Sequence, residues 1–337
     1  MALVLIVALL IGGGTTFAAE GALPGGPLYA VKVSINEQVQ SALAFSSEAQ
    51  AKLDAELAAR RLSEAETLAS RGELSAEVQA DIEKRFEAHA ESFEKESAKL
   101  ASEKKNGALL EVRSYFEGKL RAHQNVLTKL AVEGQADASA EVTLMMESAL
   151  TAPAASKISV ESSGEARTDL RAILQGVETR LGVIAEKRSA AEAEVRGTED
   201  VKIKATAEEK METAQELLLK TSERLKEKRS IKGFASVEIV AAITASTEAI
   251  AQGKVQFENG KSGDALINFE KAIRILEEVN VRIENSSALE AETSMSTEGG
   301  VSQGGGGVSE IKIESLPVIE NSGEIKEKGR IELNLGL

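Results

Sequence analysis

Apolar residues recur at steps of three and four along most of this chain, which is the spacing of one face of an α-helix. Leu28, Val31, Ile35, Val39 and Leu43 predict a first helix with an apolar inner face. It begins at Pro27, after the turn cluster Leu23-Pro24-Gly25-Gly26-Pro27. Leu53, Leu57, Leu62, Ala65 and Leu68 predict a second helix, opened by a Ser47/Gln50 capping box and closed by Arg71-Gly72. On that helix Glu56, Arg60 and Glu64 stand four apart and read as a solvated ladder of charges. Val78, Ile82, Phe86, Phe93 and Leu100 carry a third helix, from about Ser75 to Lys105. Leu109, Val112, Phe116, Leu120, Leu127 and Leu130 carry a fourth, running to about Glu133, with Asn106-Gly107 as the turn between them. A short fifth segment, Glu141 to Leu150, holds Met145 and Met146, which read as core filling rather than as soft metal ligands.

Pro153 and Ser162-Ser163-Gly164 break the pattern and place a boundary there. Beyond it Leu170, Leu174, Val177, Leu181, Ile184, Arg188, Ala191 and Val195 alternate in steps of four and three. After Gly197-Thr198, Ala207, Met211, Ala214, Leu218, Thr221 and Leu225 resume the alternation. This spacing predicts a coiled coil, and the short interruption predicts an antiparallel helical hairpin over 164–230. A homodimer of long helices, with self-association through 164–230, is the competing arrangement. A further helix pair spans 234–285 around the turn Asn259-Gly260-Lys261-Ser262-Gly263. From Ser286 to Leu337 there are nine Glu, four Lys or Arg and no aromatic residue, the composition of a disordered acidic tail.

Ala2 to Ala19 contains no charge, and Ala2 to Ile11 is almost purely aliphatic. An apolar run followed by Gly12-Gly13-Gly14 and by Thr16-Phe17-Ala18-Ala19 is the pattern of an export signal, with Thr16 and Ala18 at the cleavage positions. An uncleaved membrane anchor is the alternative, because the run approaches the ~20 residues that cross a bilayer. The chain thus divides into a signal peptide or anchor (1–19), a helical bundle (20–150), a coiled hairpin (164–230), a helix pair (234–285) and an acidic tail (286–337).

Composition narrows the function classes. The 337 residues include no Cys and no Trp, so disulfides, thiolate chemistry and zinc fingers are excluded. Four Pro and the scarcity of alternating Val/Ile runs argue for an all-α fold. A net charge of −14 argues against a nucleic-acid partner, which needs a basic surface. The glycine run near 304–307 lacks the Gly-Lys-Ser/Thr of a phosphate loop, and no serine sits in a G-x-S-x-G elbow.

Two stretches carry a resemblance. Leu23-Pro24-Gly25-Gly26-Pro27-Leu28-Tyr29-Ala30-Val31-Lys32 and Ala58-Ala59-Arg60-Arg61-Leu62-Ser63-Glu64-Ala65 stand in the order and spacing of a bacterial domain family of unknown function, number 5667. The chain resembles that family over roughly residues 22–150. Its departures are Gly26 where the family often has an acidic residue and Ala30 where it often has Pro. The resemblance implies an extracytoplasmic helical module and brings no catalytic residues. Tyr29, Lys32, Glu37 and Arg61 read as structural in it. Near 235–285, the run Gly263-Asp264-Ala265-Leu266-Ile267-Asn268-Phe269-Glu270-Lys271-Ala272-Ile273 is similar to the second helix of a tetratricopeptide-type repeat.

The candidate chemistry is sparse. His89 lies 17 residues before Asn106 and His123 17 residues after it. In an antiparallel hairpin about that turn the two would share a layer. A metal or proton-sensing pair is one reading, since histidine titrates near neutrality and ligates transition metals. Two histidines packed between helices is the plainer one, because two ligands are too few for a tight site. Phe257 and Phe269 mark a groove beside the repeat-like pair where a partner could dock. No cofactor is indicated. The expectation is therefore a non-enzymatic, extracytoplasmic scaffold or interaction protein of the cell envelope, with envelope proteins as partners. The alternative is a ligand or metal sensor built on His89 and His123.

Overall fold

The computed structural model of the chain describes residues 19–149, 165–197, 200–228 and 237–296. Among these, every regular element is helical, as the periodicity predicts. The short α1 (Tyr29–Val31) runs into a π-helical segment, Lys32–Asn36, and on into α2 (Glu37–Leu43). There follow α3 (Ser47–Ser70), α4 (Ala76–Ser102), α5 (Asn106–Ala149), α6 (Glu165–Val195), α7 (Val201–Lys228), α8 (Val237–Glu258) and α9 (Ser262–Ser296). The export or anchor segment and the tail from residue 297 lie outside the described residues. The described residues form two compact units, which part between Ser189 and Ala190 within α6.

In the first unit α3 is the central element and packs against both α4 and α5. Its buried alanines, Ala51, Ala55, Ala58, Ala59 and Ala65, leave room for close neighbours on several sides. Leu57, Leu62 and Leu68 fill the gaps between them. Phe93 of α4 meets Phe116 of α5 with ring centroids 4.6 Å apart. Such a pair adds about 0.5–1.5 kcal/mol to the burial of its rings. Residues of α6 up to Ser189 close this unit: Arg180 pairs with Glu87, Lys187 with Glu94 at 2.6 Å, and Arg188 with Glu117. The bundle read as ending near residue 150 therefore gains its last wall from the first part of the predicted hairpin.

In the second unit, α7, α8 and α9 share one core. Leu218 and Leu225 of α7 meet Ile239, Ile243 and Ile250 of α8 and Leu276, Val279 and Ile283 of α9. Of the alternating residues of α7, Ala214, Leu218 and Leu225 are thus buried against the α8–α9 pair. Asn280 of α9 donates to Thr221 of α7 at 3.0 Å inside this core.

Several ends differ from the sequence reading. The cap of α3 is Ser46, which accepts from Ala49 N at 3.1 Å, so the capping position lies one residue before Ser47. Residue 49 is alanine, and no reciprocal box forms there. The α4–α5 turn is made at Lys104, which adopts φ +56°, while Asn106 and Gly107 already belong to α5. Lys105 N bonds Leu100 O and Lys104 N bonds Ala101 O, which closes α4 with the paired bonds usual for a glycine at that place. By contrast Gly72, at φ +68°, ends α3 as Arg71-Gly72 predicted. Helix α5 continues to Ala149 and absorbs the predicted fifth segment. Helix α9 runs to Ser296, eleven residues into the predicted tail.

Candidate functional site

The first predicted helix faces the other way from its hydrophobic pattern. Ile35, Val39 and Leu43 are 49%, 54% and 63% exposed, and the neighbouring Phe45 is 88% exposed. The buried residues of this stretch are Tyr29, Lys32 and Glu37. Two causes combine. The π-helical segment Lys32–Asn36 widens the helical turn and so rotates the faces of α2. Helix α3 also offers charged partners that make burial of Lys32 and Glu37 tolerable.

Those partners are Arg61 and Glu64. The Lys32 ammonium lies 2.7 Å from Glu64 Oε1 and also donates to the Ala22 carbonyl at 3.1 Å. Arg61 Nη2 donates to Glu37 Oε1 at 2.5 Å and lies 3.2 Å from Glu64 Oε1. Arg61 Nη1 donates to the Tyr29 hydroxyl at 2.6 Å, and that hydroxyl donates to Glu64 Oε2 at 3.1 Å. Two cations, two carboxylates and one phenol thus form a charge-balanced set. Burial, reinforced by the Glu64 carboxylate, pushes the Tyr29 phenol well above its ordinary range. The guanidiniums of Arg61 and Arg85 lie 5.5 and 5.7 Å from the centre of its ring.

At the rim, Arg60 bridges Glu20 at 3.0 Å and Glu37 at 3.4 Å, and Asn36 donates to Glu20 at 3.2 Å. An open cleft of about 350 Å³ adjoins the set, lined among others by Glu20, Leu23, Lys32, Arg60 and Arg71. Glu64 is therefore no rung of a solvated ladder. It is buried and engaged by three groups, because the incoming segment 22–37 covers the face of α3 on which it stands.

The expected histidine layer is divided between two places. His89 of α4 lies 3.7 Å from Asp54, a carboxylate that also accepts from Ser92 at 2.7 Å. His123 of α5 is buried with its Nδ1 2.8 Å from Glu66 Oε1. Asp54 and Glu66 are twelve residues apart on α3, a rise of about 18 Å. Distance from the turn does not by itself set their heights, because α3 supplies each with a carboxylate at a different level. No group of three or more metal-ligating side chains comes together among the described residues.

Phe269 is fully buried, its ring against Gly253, where an added Cβ would meet a ring carbon at 2.5 Å. It belongs to the α8–α9 core, while Phe257 is half-buried near the end of α8. Among the described residues no helix is long and apolar enough to cross a membrane.

The ionic set is built from the two stretches, 23–32 and 58–65, that carry the sequence resemblance, joined by Glu37. Residues 21–175 match the family model described as Domain of unknown function (DUF5667). The match takes in α1 to α5 and the first part of α6, some way past the end read from the sequence. No curated protein and no solved structure matches the chain. The ionic set lies wholly within the DUF5667 segment, and the α7–α9 unit lies wholly outside it. Sequence reading named Tyr29, Lys32, Glu37 and Arg61 but missed Glu64. The signal that could have found it is the pairing of Arg61 with Glu64, two unlike charges three apart on a helix half of whose other positions are alanine or leucine.

Proposed function

We propose that this protein is a non-enzymatic helical scaffold or interaction module of the bacterial cell envelope, exported or held at the membrane by its N-terminal segment. The observation that carries the reading is the mutual neutralisation of the charges in the buried ionic set. Lys32, Arg61, Glu37 and Glu64 neutralise one another, and the Tyr29 hydroxyl is held between Arg61 and Glu64. A catalytic centre needs an acid, base or nucleophile available to a substrate. This set instead fastens the segment after the apolar N-terminus onto α3. That is the behaviour of a clamp holding a presented surface. The uncharged run Ala2–Ala19 supports the location. The sensing alternative has less support, since His89 and His123 lie beside separate carboxylates, Asp54 and Glu66.

Fractionation of the native cell with N-terminal sequencing of the mature chain tests the location. The expected result is envelope material beginning near Ala19, or membrane material retaining the apolar run. Cytosolic material beginning at Met1 would overturn it. Chemical cross-linking in intact cells tests the interaction role, with adducts to envelope proteins as the expected outcome.

A further inference from the structure

The outward face of residues 28–46 is unusual for a chain in which 28% of residues are charged. Every exposed side chain from Ala30 to Ser46 is uncharged, because the two charged residues of this stretch, Lys32 and Glu37, point into the clamp. Ile35, Val39 and Leu43, four apart, make one stripe along this face, and Phe45 stands at its end. Together they are four of the seven large apolar side chains exposed among the described residues, concentrated within eleven positions. Scattered exposed apolar residues are ordinary, whereas a contiguous stripe marks a contact surface.

The position of the stripe says what it contacts. Glu20 is held by Arg60 and Asn36, and the Ala22 carbonyl by Lys32. The residues just after the uncharged run are thereby fastened to the turn that carries Ile35. The chain from Glu20 onward therefore enters this unit beside the turn that carries Ile35. We propose that Ile35, Val39, Leu43 and Phe45 seat on the surface of a lipid bilayer, next to the point where the N-terminal run enters it. This rests on the membrane location proposed above. The exposed side chains of this face carry no charge, so the contact is apolar and indifferent to salt. The clamp then has a purpose in orientation. It turns the charged residues of the segment inward and leaves a face that lipid accepts.

The absence of Cys permits single labels. The full chain carrying Leu43→Cys, Phe45→Cys or, as a control on an exposed site of α4, Glu77→Cys is labelled with an environment-sensitive fluorophore. Each is reconstituted with phosphatidylcholine vesicles containing a lipid-borne quencher, and flotation is measured in parallel. The proposal expects flotation, quenching at 43 and 45 but not at 77, and the same result at low and high salt. Flotation with labels at 43 and 45 unquenched would overturn the proposal while leaving the anchor standing. Failure to float would overturn both. Quenching at all three positions, or concentration-dependent shielding of 43 and 45 without vesicles, would also overturn it, the latter in favour of a second copy of the chain.

Discussion

Arg61 of α3 donates to Glu37 of α2 across 24 sequence positions, at 2.5 Å, with both side chains withdrawn from solvent. Removing one member of such a pair leaves the other charge buried and unpaired, at a cost of about 3–5 kcal/mol. Arg61→Met is expected to destabilise the first unit by that amount in chemical denaturation of the full chain. Arg61→Lys should recover little of it, because an ammonium cannot reach Glu37, Glu64 and the Tyr29 hydroxyl together as the guanidinium fork does. Adding Glu37→Gln to Arg61→Met should restore part of the loss. A loss below about 1 kcal/mol in the single variant would refute the clamp.

The phenol of Tyr29 gives the clamp a pH dependence with a definite sign. Its folded-state pKa is raised, first by burial and then by Glu64. Below the unfolded range, near 10, both states keep the proton and the contribution is complete. Above about 10 the unfolded chain releases its proton first, so stability falls as pH rises. Denaturation midpoints measured between about pH 8 and 11 should decline more steeply for the native chain than for Tyr29→Phe. Parallel declines would contradict this assignment.

Lys104 sits at φ +56°, a conformation that disfavours every side chain with a Cβ. Lys104→Gly should therefore raise stability by about 1 kcal/mol while leaving α4 and α5 unchanged. Thermal denaturation followed by circular dichroism reads this directly. A loss of stability would mean that the lysine side chain holds the turn.

Ser46 and Ser47 are adjacent and chemically alike, yet only Ser46 caps α3. Ser46→Ala is expected to cost about 1 kcal/mol, as the Ala49 N–H loses its acceptor. Ser47→Ala should change stability by less than about 0.5 kcal/mol. Equal effects in denaturant titrations would count against the assigned cap.

Gly253 faces the Phe269 ring across the α8–α9 interface. Alanine gains about 1 kcal/mol in helix propensity but brings its Cβ into the ring. Overpacking of this kind costs about 1–3 kcal/mol, so the net change for Gly253→Ala is expected to be unfavourable. Amide exchange should show the loss in α8 and α9. A more stable variant would mean that the ring moves aside without penalty.

The sequence by itself determined that this chain is helical, where most helices lie and which apolar residues of α3, α4 and α5 pack inward. It could do so because a 3.6-residue repeat and a left-handed glycine such as Gly72 act locally. It also marked the stretches 23–32 and 58–65 that match DUF5667, and four of the five residues of the clamp. It placed Ile35, Val39 and Leu43 inside, because apolar spacing was the only local information available there. The tertiary structure reversed that face. Glu37 finds Arg61 and Lys32 finds Glu64 from 24 and 32 positions away, and no pattern within one helix records such partners. The same limit separated His89 from His123, since the height of each is set by a carboxylate on α3 and not by its distance from a turn.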